Sequence, residues 1–155
     1  IKDATKIFHT KSTSITSDDI GDADRVWIIS KSSGGSITLD LDDTDLDRVV
    51  VTLRGSSNTL DIQNVGNIAD LCVDKMTGND NYVHVYDSVK SIGNVDVEVT
   101  GGENAIDIET KITKAISYDV RGDQDCLSVL PDTPIGEKVE KGQGSLFYDD
   151  GRLCK

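Results

Sequence analysis

The segment Gly55–Ile62, GSSNTLDI, opens with a Gly-x-x-Asn motif and continues as an alternating apolar run. The same pattern returns in Gly78–Val85, GNDNYVHV, and again in Gly101–Ile108, GGENAIDI. A fourth copy follows after a slightly shorter step in Gly122–Val129, GDQDCLSV, and an earlier one occupies Ser32–Leu39, SSGGSITL. The step of about 23 residues lies within the range of about 20–50 that indicates a repeat architecture, in which each unit buries its apolar face against the next.

Apolar residues alternate with polar ones within each unit, which is the period of a β-strand and not of a helix. Short strands at a constant step predict an all-β fold, a single-stranded parallel β-helix of about five to six coils. We expect a right-handed helix, because crossovers between parallel strands nearly always have that hand. A β-sandwich of evenly spaced hairpins is the alternative, but it does not require a constant period. The predicted core columns contain Ile37/Leu39, Leu60/Ile62, Val83/Val85, Ile106/Ile108 and Leu127/Val129.

The asparagine of the motif recurs at Asn58, Asn81 and Asn104. In a parallel β-helix these residues would stack at the strand spacing of about 4.8 Å, each in a turn conformation that asparagine tolerates. Their amides can then hydrogen-bond along the stack, as in the amide ladders of other stacked sheets. We therefore predict a structural asparagine ladder.

The repeat divides one domain into three parts: an N-terminal cap at residues 1–21, the coils at residues 22–130, and a C-terminal capping tail at residues 131–155. The cap lacks the apolar columns, and we expect its few apolar side chains to cover the first coil, since solenoids need capped ends. Trp27 and Ile29 are predicted on the outward face of that coil, where the cap could bury them. The apolar cap residues are Ile7, Phe8, Ile15 and Ile20.

The chain is strongly acidic, with a formal net charge of −12. This charge opposes nucleic acid and anionic membranes as partners, and no apolar run has the length of a membrane span. Serine, threonine, aspartate and glycine in the turns indicate ordinary solvated surface, with a calcium site as the alternative. We expect no cofactor and no metal.

Three cysteines bear on the cellular compartment. Cys126 falls on an outward column of the last clear coil, and Cys154 lies near the C-terminus. A Cys126–Cys154 disulfide would hold the tail over the open end of the solenoid, where unpaired strand edges invite aggregation. Cys72 aligns with Val49 and Val95, so we expect a buried thiol. One bridge and one buried thiol favour a secreted protein over the alternative, a reduced cytosolic chain.

One outward column combines carboxylates with a histidine: Asp61, His84 and Asp107 occupy the same position of successive coils, between Thr38 and Ser128. Asp61 and Asp107 should flank His84 at one strand spacing each. The column is our candidate binding stripe, either an acid/base unit or a polar surface for a ligand. The alternative is a solvated ladder of the kind that any acidic solenoid presents.

The segments Glu103–Ile108, Ile112–Val120 and Arg121–Val129 resemble the central coils of polygalacturonases. That family carries an Asn-Thr-Asp-Gly-Ile-Asp-Ile strand and, one coil later, Thr-Gly-Asp-Asp-Cys-Ile-Ala-Ile. Its fold is the right-handed parallel β-helix of the pectate-lyase-like superfamily. The resemblance implies the same fold for this chain.

The catalytic positions of the family are only partly matched. Residue by residue, its first aspartate falls on Asn104 and its Asp-Asp pair falls on Gln124 and Asp125. The later Gly-His and Arg-Ile-Lys motifs are absent, because His9 and His84 both lie upstream. Inverting hydrolysis needs two carboxyl groups about 6.5–9.5 Å apart. We therefore predict no catalytic residues and no enzyme activity.

Three classes of function remain open. The first is a secreted, non-catalytic recognition protein, such as a toxin subunit, effector or adhesin, that binds a cell-surface or cell-wall glycan or protein. The second is a small polysaccharide hydrolase or lyase, whose carboxylate pair would come together only on folding. The third is a structural fibre segment, which a disulfide-capped end would disfavour. A partner subunit is compatible with the first class.

Overall fold

A computed structural model describes residues 4–155 of the chain; the first three residues of the predicted cap lie outside it. In this part the chain forms twelve strands and one four-residue helix, and all strand pairs are parallel. In chain order the elements are β1 (Thr5–His9), β2 (Thr13–Ile15), α1 (Ser17–Ile20), β3 (Arg25–Ser30), β4 (Ser36–Leu53), β5 (Thr59–Met76), β6 (Tyr82–Val85), β7 (Ser91–Val99), β8 (Ala105–Ile108), β9 (Ile112–Val120), β10 (Cys126–Ser128), β11 (Ile135–Glu140) and β12 (Leu146–Tyr148).

The strands stack into a parallel β-helix with two long faces. The first face contains β2, the first halves of β4 and β5, and then β6, β8, β10 and β12. The second face contains β1, β3, the second halves of β4 and β5, and then β7, β9 and β11. Register shifts between Asp40 and Leu46 mark the bend of β4 from one face to the other. The predicted parallel β-helix is confirmed, and the hairpins of a β-sandwich do not occur in residues 4–155.

Apolar side chains form continuous columns inside the helix. The members of the first-face column lie in register and are each at most 2% exposed. Burying one such side chain contributes about 1.5–3 kcal/mol, so stability accumulates coil by coil. The first-face column contains Ile37, Leu60, Val83, Ile106 and Leu127, and a second-face column contains Val49, Leu71, Val95 and Ile116.

The predicted asparagine ladder is confirmed. The backbone N–H of Asn58 donates to Oδ1 of Asn81 at 2.9 Å, and that of Asn81 donates to Oδ1 of Asn104 at 2.9 Å. Below Asn104 the next rung is Asp125, whose Oδ1 accepts the Asn104 N–H at 2.9 Å. All four side chains are at most 2% exposed, so each rung satisfies a backbone donor that water cannot reach.

Close backbone approach explains the glycine of the repeated motif. A Cβ atom at Gly78 would collide with the carbonyl oxygen of Gly55, and one at Gly101 would collide with that of Gly78. Just before the ladder asparagine the chain turns through the left-handed region, with φ of 57° at Ser57 and 55° at Asp80. Gly-x-x-Asn is therefore a turn that brings successive coils into contact and then places an amide inside.

The N-terminal residues cover the first coil as added strands. Phe8 of β1 lies in register with Ile28, and Ile15 of β2 lies in register with Leu39 and is 1% exposed. The expectation that this segment lacks the apolar columns is therefore wrong for these two positions. The constant step of the repeat did not identify these two core positions, because the spacing between coils is irregular at this end. The interval from Phe8 to Ile28 is shorter than that from Ile15 to Leu39.

The remaining apolar residues of the cap, and the two residues of β3 that the cap could bury, differ in their exposure. Ile20, at the end of α1, is buried as expected, whereas Ile7 points outward and is 48% exposed. Trp27 and Ile29 lie on the outward face of β3, as predicted, but they are only half-buried. The N-terminal strands extend the sheet beside Trp27 and leave its outer surface open.

The C-terminal residues also join the ladder, with β11 paired to β9 and β12 paired to β10. The predicted disulfide between Cys126 and Cys154 is confirmed. The tail covers the end of the solenoid through β11 and β12, as expected, but residues 149–155 do not lie there: they fold back along the outside of the first face, where Cys154 and Lys155 contact Asp107. They do so because Cys126 points outward from β10, and the end itself is formed by β11 and β12.

The predicted burial of Cys72 is wrong. Cys72 pairs with Val50 and Asp96, whereas Leu71 pairs with the core residues Val49 and Val95. The expected alignment was shifted by one residue, and a shift of one in a strand moves a side chain to the opposite surface. The free thiol therefore lies half-buried on the outside of the second face.

Candidate functional site

The candidate stripe is a straight column on the outside of the first face. Thr38 pairs with Asp61, Asp61 pairs with His84, His84 pairs with Asp107, and Asp107 pairs with Ser128. The prediction that two aspartates flank His84 along the sheet is therefore confirmed. The five positions nevertheless differ in accessibility, since Thr38, Asp61 and His84 are half-buried while Asp107 and Ser128 are fully buried.

Asp107 is covered by the chain itself. Its Oδ1 accepts hydrogen bonds from the Ser128 hydroxyl at 2.7 Å and from the backbone N–H of Cys154 at 2.7 Å. Its Oδ2 accepts the Tyr82 hydroxyl at 2.6 Å and the backbone N–H of Lys155 at 3.2 Å. Four donors occupy both oxygens, so this carboxylate anchors residues 149–155 and offers no open position to a ligand.

An aromatic row runs along the outside of β6 and the residue after it, and it crosses the stripe at His84. The rings of Tyr82 and His84 have centroids 5.5 Å apart, and those of His84 and Tyr86 stack at 3.9 Å. We call Tyr82, His84 and Tyr86 the His84 row. Tyr82 and His84 lie in β6 and Tyr86 directly follows its last residue, so the three occupy alternate positions and project from the same surface. They place two hydroxyl groups and one imidazole on the outside of the first face.

Each member of the His84 row contacts a carboxylate from a neighbouring coil. Nε2 of His84 contacts Oε2 of Glu109, which follows β8. The Tyr86 hydroxyl lies 3.4 Å from Oδ1 of Asp61. The imidazole therefore pairs with Glu109, although the column places Asp61 and Asp107 on either side of it.

Both tyrosines are held in the protonated form. Burial, and then the hydrogen bond to Asp107, raises the pKa of Tyr82. Burial, followed by the charge of Asp61, raises the pKa of Tyr86. The two phenols consequently remain hydroxyl groups at physiological pH, and only their hydrogen-bonding capacity is available to a ligand.

The positions that match the polygalacturonase carboxylates lie apart from the His84 row. Asn104 and Asp125 are rungs of the internal ladder, and Gln124 is exposed in the turn with a φ of 58°. Burial raises the pKa of Asp125 to about 6. The single carboxylate retained from the resemblance therefore points into the core and supports the turn of the last coil.

The described residues contain no group of three or more histidine, cysteine, aspartate or glutamate side chains arranged to hold a metal ion. Within residues 4–155, no helix has the length and apolarity required to cross a bilayer.

The sequence pattern did not predict three residues of this site: Glu109, Tyr82 and Tyr86. Glu109 is the next outward position after Asp107, and the two tyrosines are the outward positions on either side of His84. Extending the alternation by one step along each strand would have included all three. Their contacts with other coils depend on side-chain direction, which the pattern does not specify.

Comparison with known proteins finds no matching family model, no matching curated protein and no matching solved structure. The likeness to polygalacturonases therefore stays a prediction from the quoted segments.

Proposed function

We propose that this chain is a secreted, non-catalytic recognition protein of the parallel β-helix type that binds a cell-surface or cell-wall glycan through the first face. A toxin subunit, effector or adhesin would use such a surface. The observation that carries the proposal is the His84 row with its carboxylate partners.

The chemistry of the row suits a hydroxyl-rich ligand. Carboxylates such as Asp61 and Glu109 accept hydrogen bonds from sugar hydroxyls, and tyrosine hydroxyls both donate and accept them. These groups lie on the outside of the first face, where neighbouring coils repeat at about 4.8 Å. A linear polysaccharide could therefore contact several coils at once.

Two features support recognition without catalysis. Asp107 has both oxygens occupied by four donors, and Asp125 lies inside the ladder. Neither carboxylate is available to protonate a leaving group or to activate water, and glycoside hydrolysis ordinarily requires two such groups. The disulfide between Cys126 and Cys154 supports an oxidising, extracellular setting.

The test is binding to a panel of immobilised plant and fungal cell-wall polysaccharides, with Asp61→Asn and Glu109→Gln as site variants. We expect at least one polysaccharide to bind, and each variant to weaken that binding about tenfold, the effect of roughly one charged hydrogen bond. Asp43→Asn is the matched control, because Asp43 is exposed at the bend of β4, away from the His84 row. Equal binding by all four proteins, or binding to none of the panel, would contradict the proposal.

A small polysaccharide hydrolase is the second candidate, favoured by the contact between His84 and Glu109. A histidine paired with a carboxylate is a common acid/base unit. The same panel, assayed for release of reducing ends, separates the two. We expect no release, whereas hydrolysis that is abolished by Glu109→Gln would establish the enzyme.

A further inference from the structure

The outward column of the second face changes character along the helix axis. Its members lie in register from β1 to β11, and the column is apolar at the N-terminal end and acidic at the C-terminal end. It is a different surface from the first face that carries the His84 row. In order, the column contains Ile7, Trp27, Val50, Cys72, Asp96, Ser117 and Glu137.

Three open clefts along this column form one groove. A cleft of about 330 Å³ is bordered by Trp27 and Val50, and it shares Cys72 with the next cleft, of about 380 Å³. The second cleft shares Asp96 and Glu137 with a third, of about 210 Å³. The groove spans six strands, or about 24 Å at the strand spacing.

The apolar end of the groove is fixed in shape. The Trp27 indole N–H donates to the Thr52 hydroxyl at 3.0 Å, which holds the ring against the sheet. The Cys72 thiol is free of any disulfide, and burial, followed by the charge of Asp96, raises its pKa. The thiol is therefore neutral and adds to the apolar wall.

The acidic end carries unpaired charge. Two carboxylates at this end have cations of their own, since Asp119 pairs with Arg121 and Glu140 pairs with Lys138. Three further carboxylates, on β7 and β11, line the groove at this end and form no ion pair with any residue of 4–155. These three, which we call the groove carboxylates, are Asp96, Glu98 and Glu137. Asp70 and Asp74 of β5 line the groove nearer its apolar end.

Charge excludes several occupants of the groove. A second copy of the chain also carries −12 and would be repelled, as would nucleic acid. At the apolar end, Arg25 and Arg48 lie directly opposite each other on β3 and β4. Asp74 also lines the apolar cleft, and Arg48 lies opposite Asp70, so charges of both signs border that end. The unpaired negative charge is concentrated at the other end, and a ligand with apolar groups at one end and basic groups at the other matches this distribution.

We propose that this groove binds an extended, basic segment of a partner protein. Apolar side chains at one end of the segment lie over Trp27, Val50 and Cys72, and lysine or arginine at the other end pairs with Asp96 and Glu137. A groove of about 24 Å accommodates roughly seven extended residues at about 3.3 Å each.

Two residues of the groove can report binding without labelling. Trp27 is the only tryptophan of the chain, so its fluorescence is specific, and Cys72 is the only cysteine outside the disulfide, so its rate of alkylation is specific as well. Three capped heptapeptides serve as probes. One has Phe and Leu at its amino end and two lysines at its carboxyl end, the second has the reverse order, and the third has glutamates in place of the lysines. We expect one of the two basic peptides to shift the Trp27 emission and to slow alkylation of Cys72, and the acidic peptide to do neither.

The decisive comparison uses two triple variants that remove equal charge. The groove variant combines Asp96→Asn, Glu98→Gln and Glu137→Gln, and so neutralises all three groove carboxylates. We expect it to bind the basic peptide at least about tenfold more weakly than wild type, because a local ion pair depends on position.

The control variant combines Asp42→Asn, Asp43→Asn and Asp132→Asn, which replace exposed aspartates that lie outside the groove. All three aspartates have a positive φ, a conformation that asparagine also tolerates. We expect this variant to lose less than about twofold in affinity, since it changes the net charge but no local ion pair.

Equal losses in the two variants would show that only the net charge attracts the peptide, and would overturn the proposal. Failure of both basic peptides to change either reporter would overturn it as well. Asp61→Asn should leave peptide binding unchanged, which keeps this result separate from the glycan test of the first face.

Discussion

At the scale of single residues, the ladder ends in a carboxyl group where an amide would fit better. Nδ2 of Asn81 donates to the carbonyl oxygen of Gly55 at 2.9 Å, and Nδ2 of Asn104 donates to that of Gly78 at 2.9 Å. Oδ2 of Asp125 occupies the corresponding atom position but is buried without a partner. An ionised carboxylate has no proton to donate, so burial favours the protonated acid.

Asp125→Asn should stabilise the protein at neutral pH. The pKa of Asp125 is raised to about 6 in the folded chain, against about 3.9 when unfolded. The folded state therefore holds its proton more tightly, and stability falls as pH rises between these values. We expect the variant to gain about 1–3 kcal/mol at pH 7.5 and little at pH 3.5, as measured by urea unfolding.

Asp87→Asn is the control for this measurement, because Asp87 is exposed. It should leave the pH dependence unchanged. A wild-type stability that does not fall between pH 4 and pH 7, or an Asp125→Asn variant with the same pH profile as wild type, would show that Asp125 is ionised in the ladder.

Truncation in the core column should cost far more than truncation outside it. Ile106 is 2% exposed and packs between Val83 and Leu127, so Ile106→Ala should lower the free energy of unfolding by about 2–5 kcal/mol. Thr59, on the outside of β5, is half-buried, and Thr59→Ala should cost less than about 1 kcal/mol. Denaturant unfolding of the two variants tests this; equal losses would contradict the assigned inward and outward directions.

At the scale of elements, the segment 149–155 acts as a strap across the first face. The disulfide holds it at Cys154, and Asp107 accepts two of its backbone N–H groups. The Lys155 ammonium lies 5.2 Å from the centre of the Tyr82 ring and 3.7 Å from Asp80. The strap thus borders the His84 row and covers the Asp107 end of the stripe.

Cys154→Ser should release the strap without unfolding the helix. The bridge closes a loop with a sequence separation of 28 residues, and such a loop contributes about 3–4 kcal/mol. We expect a loss of this size, together with faster hydrogen exchange at residues 149–155, where the amides of Cys154 and Lys155 donate to Asp107, but not in β4 or β6. Protection that is unchanged at residues 149–155 would show that hydrogen bonds alone hold the strap.

At the scale of the whole molecule, the net charge of −12 opposes compaction, because the folded chain brings like charges closer together. Salt screens exposed charges beyond about 10 Å at 0.1 M. We therefore expect the Tm to rise by several degrees between 10 and 200 mM NaCl. The control variant with Asp42→Asn, Asp43→Asn and Asp132→Asn should show a smaller rise. A Tm that falls with salt would indicate that attractive ion pairs dominate.

The sequence by itself determined the repeating parts of this protein. Its constant step predicted the parallel coils, the columns around Ile106 and the ladder through Asn81, and the outward position of Cys126 predicted its bridge to Cys154. These features follow from local rules that act identically in every coil, because a strand alternates its side chains and parallel stacking brings equivalent residues into register.

Only the tertiary structure decided the features that break the repeat. The burial of Asp107 depends on the path of residues 149–155, and the partner of His84 is Glu109 because two side chains from different coils lean toward each other. Cys72 lies outside because β5 bends between the faces, where one residue more or less reverses every side chain. Long-range chain paths and bends have no period, so no sequence pattern records them.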